Sequence, residues 1–173
     1  MKKHPIYLIV AVDENFGIGI NGHLPWKFKK EYKYFRDTTK KTDDSTKQNM
    51  VIMGKNTWAS LPPEYRPLPD RKNMVLTSDV TYSVHGAQTV QSIDEALKLA
   101  DEKNEKIFIL GGGQVFAEAL KRPDITGIYL TKICHTFECD TFFPVLPKEF
   151  DKIKTLGADE ENEIRFEYYL YHK

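Results

Sequence analysis

Glu31 is the residue in this chain whose placement most asks for a chemical explanation. Beyond the Leu24-Pro25-Trp26 corner, a helix over 27–39 puts Phe28, Glu31, Tyr32 and Phe35 within about 100° of one another. That stripe is aromatic except for one carboxylate, and a carboxylate turned toward a core is costly without a purpose. Two readings stand side by side. Glu31 sits at the stripe's edge and pairs with Lys27 or Lys33, as most helical glutamates do. Alternatively it faces a cleft and grips an amidine-like N–C–NH2 group with both oxygens. Ahead of it, Gly17, Gly19 and Gly22 make a loop whose backbone can turn sharply or approach a flat ligand closely.

Two strand-to-helix turns offer bare backbone amides to an anion. Ile107-Phe108-Ile109-Leu110 runs into Gly111-Gly112-Gly113 and then a helix, so amides and the helix dipole can face a diphosphate. Phe116 occupies the last glycine position of G-x-G-x-x-G, so this is no Rossmann fingerprint, and a plain tight turn is the alternative. The second turn, Gly54-Lys55-Asn56-Thr57, adds a cation at a helix start, a seat for a phosphate monoester. Arg71 follows a proline-rich elbow of Pro62, Pro63, Pro67 and Pro69. Its guanidinium suits bidentate capture of a carboxylate, or else a surface pair with Asp70.

The elements that must position these groups follow from size and pattern. A chain of 173 residues with 40% hydrophobic and 29% charged residues suits one globular domain with a full core. Lysine plus arginine equal aspartate plus glutamate at 25 each, which argues against a general nucleic-acid binder but leaves room for local anion sites. Lys2-Lys3 before the apolar run 6–12 imitates a signal peptide, yet Asp13-Glu14-Asn15 stands where a small-residue cleavage site belongs. The run reads as a buried strand, no segment reaches membrane-spanning length, and the cytosol is expected. Cys134 and Cys139 flank His135, but a structural zinc site needs a second close pair. No metal is expected, only two free thiols in a reducing compartment.

Short apolar runs alternate with amphipathic stretches, the pattern of βαβ units. The fold class is α/β: a single-domain layer sandwich over 1–173, with a mostly parallel sheet of about eight strands, a C-terminal antiparallel hairpin and helices on both faces. Strands are expected at 6–12, 49–53, 73–77, 87–90, 106–110, 126–133, 150–157 and 163–171. Helices are expected at 27–39, 55–61, 93–102 and 113–120, with Ser92 or Asp94 capping the third. Residues 40–48 read as an exposed mobile loop, and Asp159-Glu160-Glu161-Asn162-Glu163 as a solvated turn.

The glycine loop, the Leu-Pro-Trp corner and an acid five residues after the tryptophan resemble the dihydrofolate reductase family. Matching segments follow in the family's order: Val51-Ile52-Met53-Gly54-Lys55-Asn56-Thr57-Trp58, Arg66-Pro67-Leu68-Pro69-Asp70-Arg71, the triglycine, and Asp140-Thr141-Phe142-Phe143-Pro144. The resemblance implies NADPH-dependent reduction of 7,8-dihydrofolate, with hydride passing to pterin C6 while N5 gains a proton. It implies catalytic roles for Glu31 on the pterin 2-amino group and N3, Thr131 beside it, Trp26 holding a water, and Leu24 in the loop that closes. Val10, Ala11, Tyr32, Phe35, Ser60, Leu61, Leu68, Leu110 and Phe116 would wall the substrate, and Arg71 would bind the α-carboxylate of its glutamate tail.

The same resemblance assigns the cofactor to Ala11, Ile18 and Gly22 near the loop, and to Gly54, Lys55, Asn56 and Thr57 at the first turn. Leu76, Thr77 and Ser78 follow the next strand, then Leu110, Gly111, Gly112, Gly113, Gln114 and Val115 at the triglycine, and finally Thr141. It implies cis bonds at Arg66–Pro67 and Gly111–Gly112 and binding of diaminopyrimidine antifolates. A monomer is expected because the last hairpin can finish the sheet internally, and no thymidylate synthase region is expected because the chain is read as ending with the reductase fold. Two departures are visible. Relatives often carry an arginine where this chain has Thr77-Ser78, so selectivity for the 2′-phosphate rests on Lys55. Tyr65 stands where some relatives have a polar residue near the tail. The alternatives are a same-fold reductase of another pterin or a ribosylamino-pyrimidine, which would have no use for Arg71, and a non-catalytic nucleotide-binding module.

Overall fold

A computed structural model describes residues 3–173, and Lys2 of the leader-like start lies outside them. The central strands are β1 (Ile6–Val12), β3 (Gln48–Gly54), β4 (Arg71–Leu76), β6 (Asn104–Ile109) and β7 (Gly127–Ile133). Met50, Val51, Ile52 and Met53 are all fully buried, as expected of a parallel strand covered on both faces. With β5 (Gln88–Val90), β9 (Lys152–Glu161) and β10 (Ile164–His172), the sheet runs β5-β4-β3-β6-β1-β7-β10-β9. Every pairing up to β7 is parallel, and β10 is antiparallel to both β7 and β9.

Alternate residues of β1 divide the core. Leu8 and Val10 pack with Ile93 and Ala96 of α3 (Ile93–Lys98) and Phe116 of α4 (Gly113–Leu120). Ile9 points the other way, into a cluster with Trp58 of α2 (Lys55–Ser60) and Phe35 of α1 (Lys29–Lys40). The helices therefore cover both faces. Ser92 caps α3, its hydroxyl accepting from Glu95 N at 3.0 Å. Among the described residues no helix is long and apolar enough to cross a membrane.

Three features differ from the sequence expectation. The glycine loop forms β2 (Gly17–Gly19), which pairs with β8 (Thr141–Phe142) in a separate two-stranded sheet. Strands this short and glycine-rich carry no alternation to read. Residues 159–161 are not a turn but the end of β9, because the hairpin reverses through only Asn162 and Glu163, both at positive φ (52° and 64°). A two-residue turn of that kind matches the twist of the strands it joins. Finally, loop 40–48 is exposed but tied down: Glu105 accepts Asp43 N at 2.7 Å and Asp44 N at 2.9 Å, and Asn49 Nδ2 donates to Thr39 O and Lys41 O.

Candidate active site

The parallel strands end at a cleft of about 1130 Å³, the place where open α/β sheets bind ligands. Val10 and Ala11 of β1, Gly54 of β3, Leu76 and Thr77 at the end of β4, Leu110 after β6 and Thr131 of β7 all reach it. Ala11 lies opposite Thr131 in the β1·β7 register, so the two side chains stand on one face.

Glu31 lines this cleft from the first turn of α1. Neither neighbouring lysine takes it: Lys33 pairs with Asp37 at 2.6 Å, and among the described residues Glu31 makes no ion pair. Burial alone pushes its carboxyl from the ordinary 4.5 up to about 7. The edge-of-helix reading of Glu31 therefore gives way to the cleft-facing one. Tyr32, Phe35, Ser60, Leu61, Leu68 and Phe116 line the same space, as does Leu24 at the end of the glycine loop.

At the far end, the two glycine turns lie side by side, with Gly54 N donating to Gly111 O at 2.7 Å. Gly54 is the N-cap of α2 and Gly112 that of α4. Both Arg66–Pro67 and Gly111–Gly112 are cis. Gly111 has φ +112°, and a Cβ there would stand 2.8 Å from the Phe116 ring, so a side chain is excluded. Lys55, Asn56, Thr57, Gly113, Gln114 and Val115 line the cleft around these turns, with Thr77 and Ser78 beyond Leu76 and with Ile18, Gly22 and Thr141 at the mouth. Lys55 Nζ lies 4.0 Å from Asp79 Oδ2 and 4.4 Å above the Tyr82 ring.

Three expected residues stand behind the wall rather than on it. Gly111 contributes its carbonyl to the bond just described. Trp26 is 5% exposed, and its Nε1 is buried without a hydrogen-bond partner. Arg71 is also buried, with Nε donating to Pro69 O and Nη1 to Thr39 Oγ1, both at 2.8 Å. Neither bond uses Nη2, and Asp70 pairs with Lys40 at 2.9 Å instead of with Arg71.

Sequence reasoning missed Asp13 and Gln91. Asp13 is 1% exposed and uses both oxygens on backbone: Oδ1 accepts Asn15 N and Gly17 N, and Oδ2 accepts Phe137 N. It thereby fastens the glycine loop to the segment after β7. A Cβ on Gly17 would come within 2.4 Å of Cys139 Sγ, which is why glycine stands at that crossing. The available signal was a lone acid at the end of an apolar strand, just before the glycines. Gln91 lines the cleft near Ser78 and follows β5 directly, with nothing in its neighbours to single it out.

The comparisons agree with this geometry. The family model described as dihydrofolate reductase matches residues 5–173. The chain is 47% identical over 175 residues to the dihydrofolate reductase of Drosophila melanogaster, covering 96% of each. It is 39% identical to that of Sus scrofa, covering 98% of each. The solved structure of Schistosoma mansoni dihydrofolate reductase superposes with a TM-score of 0.84 at 34% identity, covering 99% of both chains. With this fold, this cleft and relatives of this similarity along its length, the chain belongs to the dihydrofolate reductase family.

Proposed function

We propose that the chain reduces 7,8-dihydrofolate to 5,6,7,8-tetrahydrofolate with NADPH in this cleft, working as a monomer in the cytosol. When bound, NADPH supplies a hydride from nicotinamide C4 to pterin C6. The glycine turns fit its diphosphate. A Cβ on Gly54 would approach Val115 Cγ2 at 3.3 Å and one on Gly112 would approach Thr57 Oγ1 at 3.4 Å, so the floor between the two helix starts is bare amide. Lys55 receives the 2′-phosphate, and Thr77, Ser78 and Gln91 offer neutral donors around it.

Glu31 receives the pterin's N3 and 2-amino edge, with Thr131 bracing the amino group. Its surroundings are low in dielectric, so an ionised carboxylate there strongly favours a protonated ring. The carboxyl does not itself reach N5. The unpartnered Nε1 of Trp26 supports a water held nearby, which delivers that proton. Ala11, Phe35 and Leu110 would hold the pterin and nicotinamide rings, and loop 13–24 would cover them and keep bulk water out. Arg71 turns its free Nη2 to the substrate's tail carboxylate. A diaminopyrimidine presents the same N–C–NH2 edge with a more basic ring, and competes with substrate for Glu31.

The single observation that carries this reading is an unpaired carboxyl in the cleft wall, on the strand-end side opposite the glycine turns. The test is the fall in absorbance near 340 nm when protein, NADPH and dihydrofolate are mixed. A flat trace with both present refutes the proposal.

A further inference from the structure

Helix α1 carries Glu31 in its first turn but has no cap of its own. Phe28 stands at the N-cap with φ −124° and ψ 119° and supplies no side-chain acceptor. The first amides of the helix would otherwise lack partners. The acceptor comes from the far end of the chain. Glu161, the last residue of β9, receives Lys29 N on Oε2 at 2.9 Å and Lys30 N on Oε1 at 3.0 Å. The Lys30 ammonium in turn donates to Glu160 O at 3.1 Å. Both carboxylate oxygens are thus spent on the two residues immediately before Glu31.

The same hairpin makes a second contact. Tyr168 of β10 stacks on Tyr34 of α1 with ring centroids 3.7 Å apart and planes 14° from parallel. Its hydroxyl donates to Asp159 Oδ2 at 3.0 Å. Tyr34 lines the cleft beside Glu31, and Tyr168 lies opposite Thr131 in the β10·β7 register. The tip of the hairpin and the ring behind it therefore grip α1 at the turn that holds the acid.

We propose that Glu161 is a positioning residue for Glu31, fixing the first turn of α1 so that the carboxyl meets the pterin edge in one direction. This rests on the role proposed above for Glu31. An exposed glutamate at a hairpin tip is ordinarily worth little, but here its bonds are charge-assisted and satisfy amides that have no other partner among the described residues. Helix ends open first, and an acid in an opened turn loses its aim. Misplacement of a reacting group by about 1 Å can cost about 100-fold in rate.

The test compares the full-length wild type with E161A, E161Q, E31Q and D124A. The last breaks the Arg122–Asp124 ion pair elsewhere in the chain and controls for general loss of stability. Amide hydrogen exchange at residues 29–31 reads the clamp without reference to activity. It should speed up about tenfold in E161A and not in D124A. kcat/KM for dihydrofolate should fall about tenfold in E161A, with the loss mainly in kcat. The pH at which Glu31 titrates in the rate profile should also move. Lys29, Lys30, Lys33, Tyr34 and Asp37 on α1 and Asp159, Glu160 and Tyr168 on the hairpin are the other titratable groups around this turn, and none of them is altered. E161Q keeps one acceptor oxygen, should fall between wild type and E161A, and carries the same test where E161A does not fold. Unchanged exchange at 29–31 overturns the clamp. Faster exchange with kinetics and pH profile like those of D124A overturns its bearing on Glu31. Wild-type kinetics in E31Q would overturn the reading of Glu31 itself, and the proposal with it.

Discussion

The two ends of the cleft hold their charges in opposite ways. Glu31 sits in the wall with no ion partner among the described residues, and burial pushes its carboxyl up to about 7. Lys55 stands 42% exposed, shares its ammonium with Asp79 at 4.0 Å and lies over the Tyr82 ring. Among the described residues lining the cleft it is the one lysine or arginine. An unpaired buried charge responds strongly to a ligand that completes it, whereas a solvated, already shared one responds weakly. On the proposed function, the chain spends its electrostatic leverage on the pterin end and leaves recognition of the cofactor's far end to a modest contact. Variants at Glu31, Arg71 and Lys55 test that division.

The largest effect belongs to Glu31→Gln. The amide keeps the shape and some hydrogen bonding but no longer favours a protonated pterin. Activity at pH 7 should fall about 10²- to 10⁴-fold, the range for losing an acid–base group. At lower pH the substrate arrives already protonated, so the variant should recover steadily toward acid, without the inflection that wild type owes to Glu31. Steady-state rates between pH 5 and 9 check this. Wild-type activity throughout that range would remove Glu31 from the chemistry and collapse the contrast between the two ends.

The same substitution has a second consequence, of opposite sign. A carboxyl whose folded pKa is raised binds its proton more tightly folded than unfolded. Below about pH 4.5 both states are protonated and the shift contributes nothing. Between 4.5 and about 7 the unfolded chain ionises first and stability falls, and above 7 the full penalty of about 3 kcal/mol is present. Ligand-free Glu31→Gln should therefore be more stable than wild type at pH 8, by up to about 3 kcal/mol, and no more stable at pH 4. Denaturant midpoints at the two pH values measure it. Equal midpoints at pH 8 would mean the acid is solvated like Lys55.

Arg71→Leu comes next. Its guanidinium is buried and held by Pro69 O and Thr39 Oγ1, so on the proposed function it would meet a tail carboxylate already aimed. KM for dihydrofolate should rise about 30-fold, the loss of roughly 2 kcal/mol in charge-assisted bonds. Turnover of a tailless dihydropterin should be nearly unchanged, because a contact far from the ring contributes uniform binding. An equal loss for both substrates would make Arg71 a structural brace.

How much of this was legible follows from the range of each interaction. Strands β1 and β3 to β7 and the aromatic stripe around Glu31 are written in the period of neighbouring residues, and the structure reproduces them. Whether Glu31 faced a lysine or a cleft was not written there, because Lys33 turns to Asp37 for reasons of helix geometry. Asp13 and Glu161 were missed for a shared cause. Each accepts backbone amides, and backbone amides leave no residue type to recognise. Phe137 lies 124 residues from Asp13, and Lys29 lies 132 from Glu161. The acidic run 159–163 looked like solvated charge since only the two-residue turn at Asn162-Glu163, with both φ positive, extends β9 far enough to bring Glu161 to α1. Local pattern fixes elements; acceptors that join distant elements become visible only once the sheet is assembled.

The smallest effect expected is at Lys55. Replacing it with Gln removes the one lysine or arginine among the described residues that line the cleft, where the proposed function seats the 2′-phosphate, while keeping a polar chain of similar reach. KM for NADPH should rise about fivefold, because an exposed ammonium partly engaged by Asp79 gives up little more than a screened ion pair. KM for NADH, which lacks the 2′-phosphate, should hardly change, and kcat should stay level with both since the rings lie elsewhere. Screening adds a further check. The Debye length is about 10 Å at 0.1 M salt and about 3 Å at 1 M, so the wild-type preference for NADPH should shrink with salt and converge on that of the variant. A loss far above tenfold, or one insensitive to salt, would mean that Lys55 becomes buried and directly paired when the cofactor binds. The two ends of the cleft would then use charge in the same way, and the neutral Thr77, Ser78 and Gln91 would be the walls of a closed phosphate pocket rather than the rim of an open one.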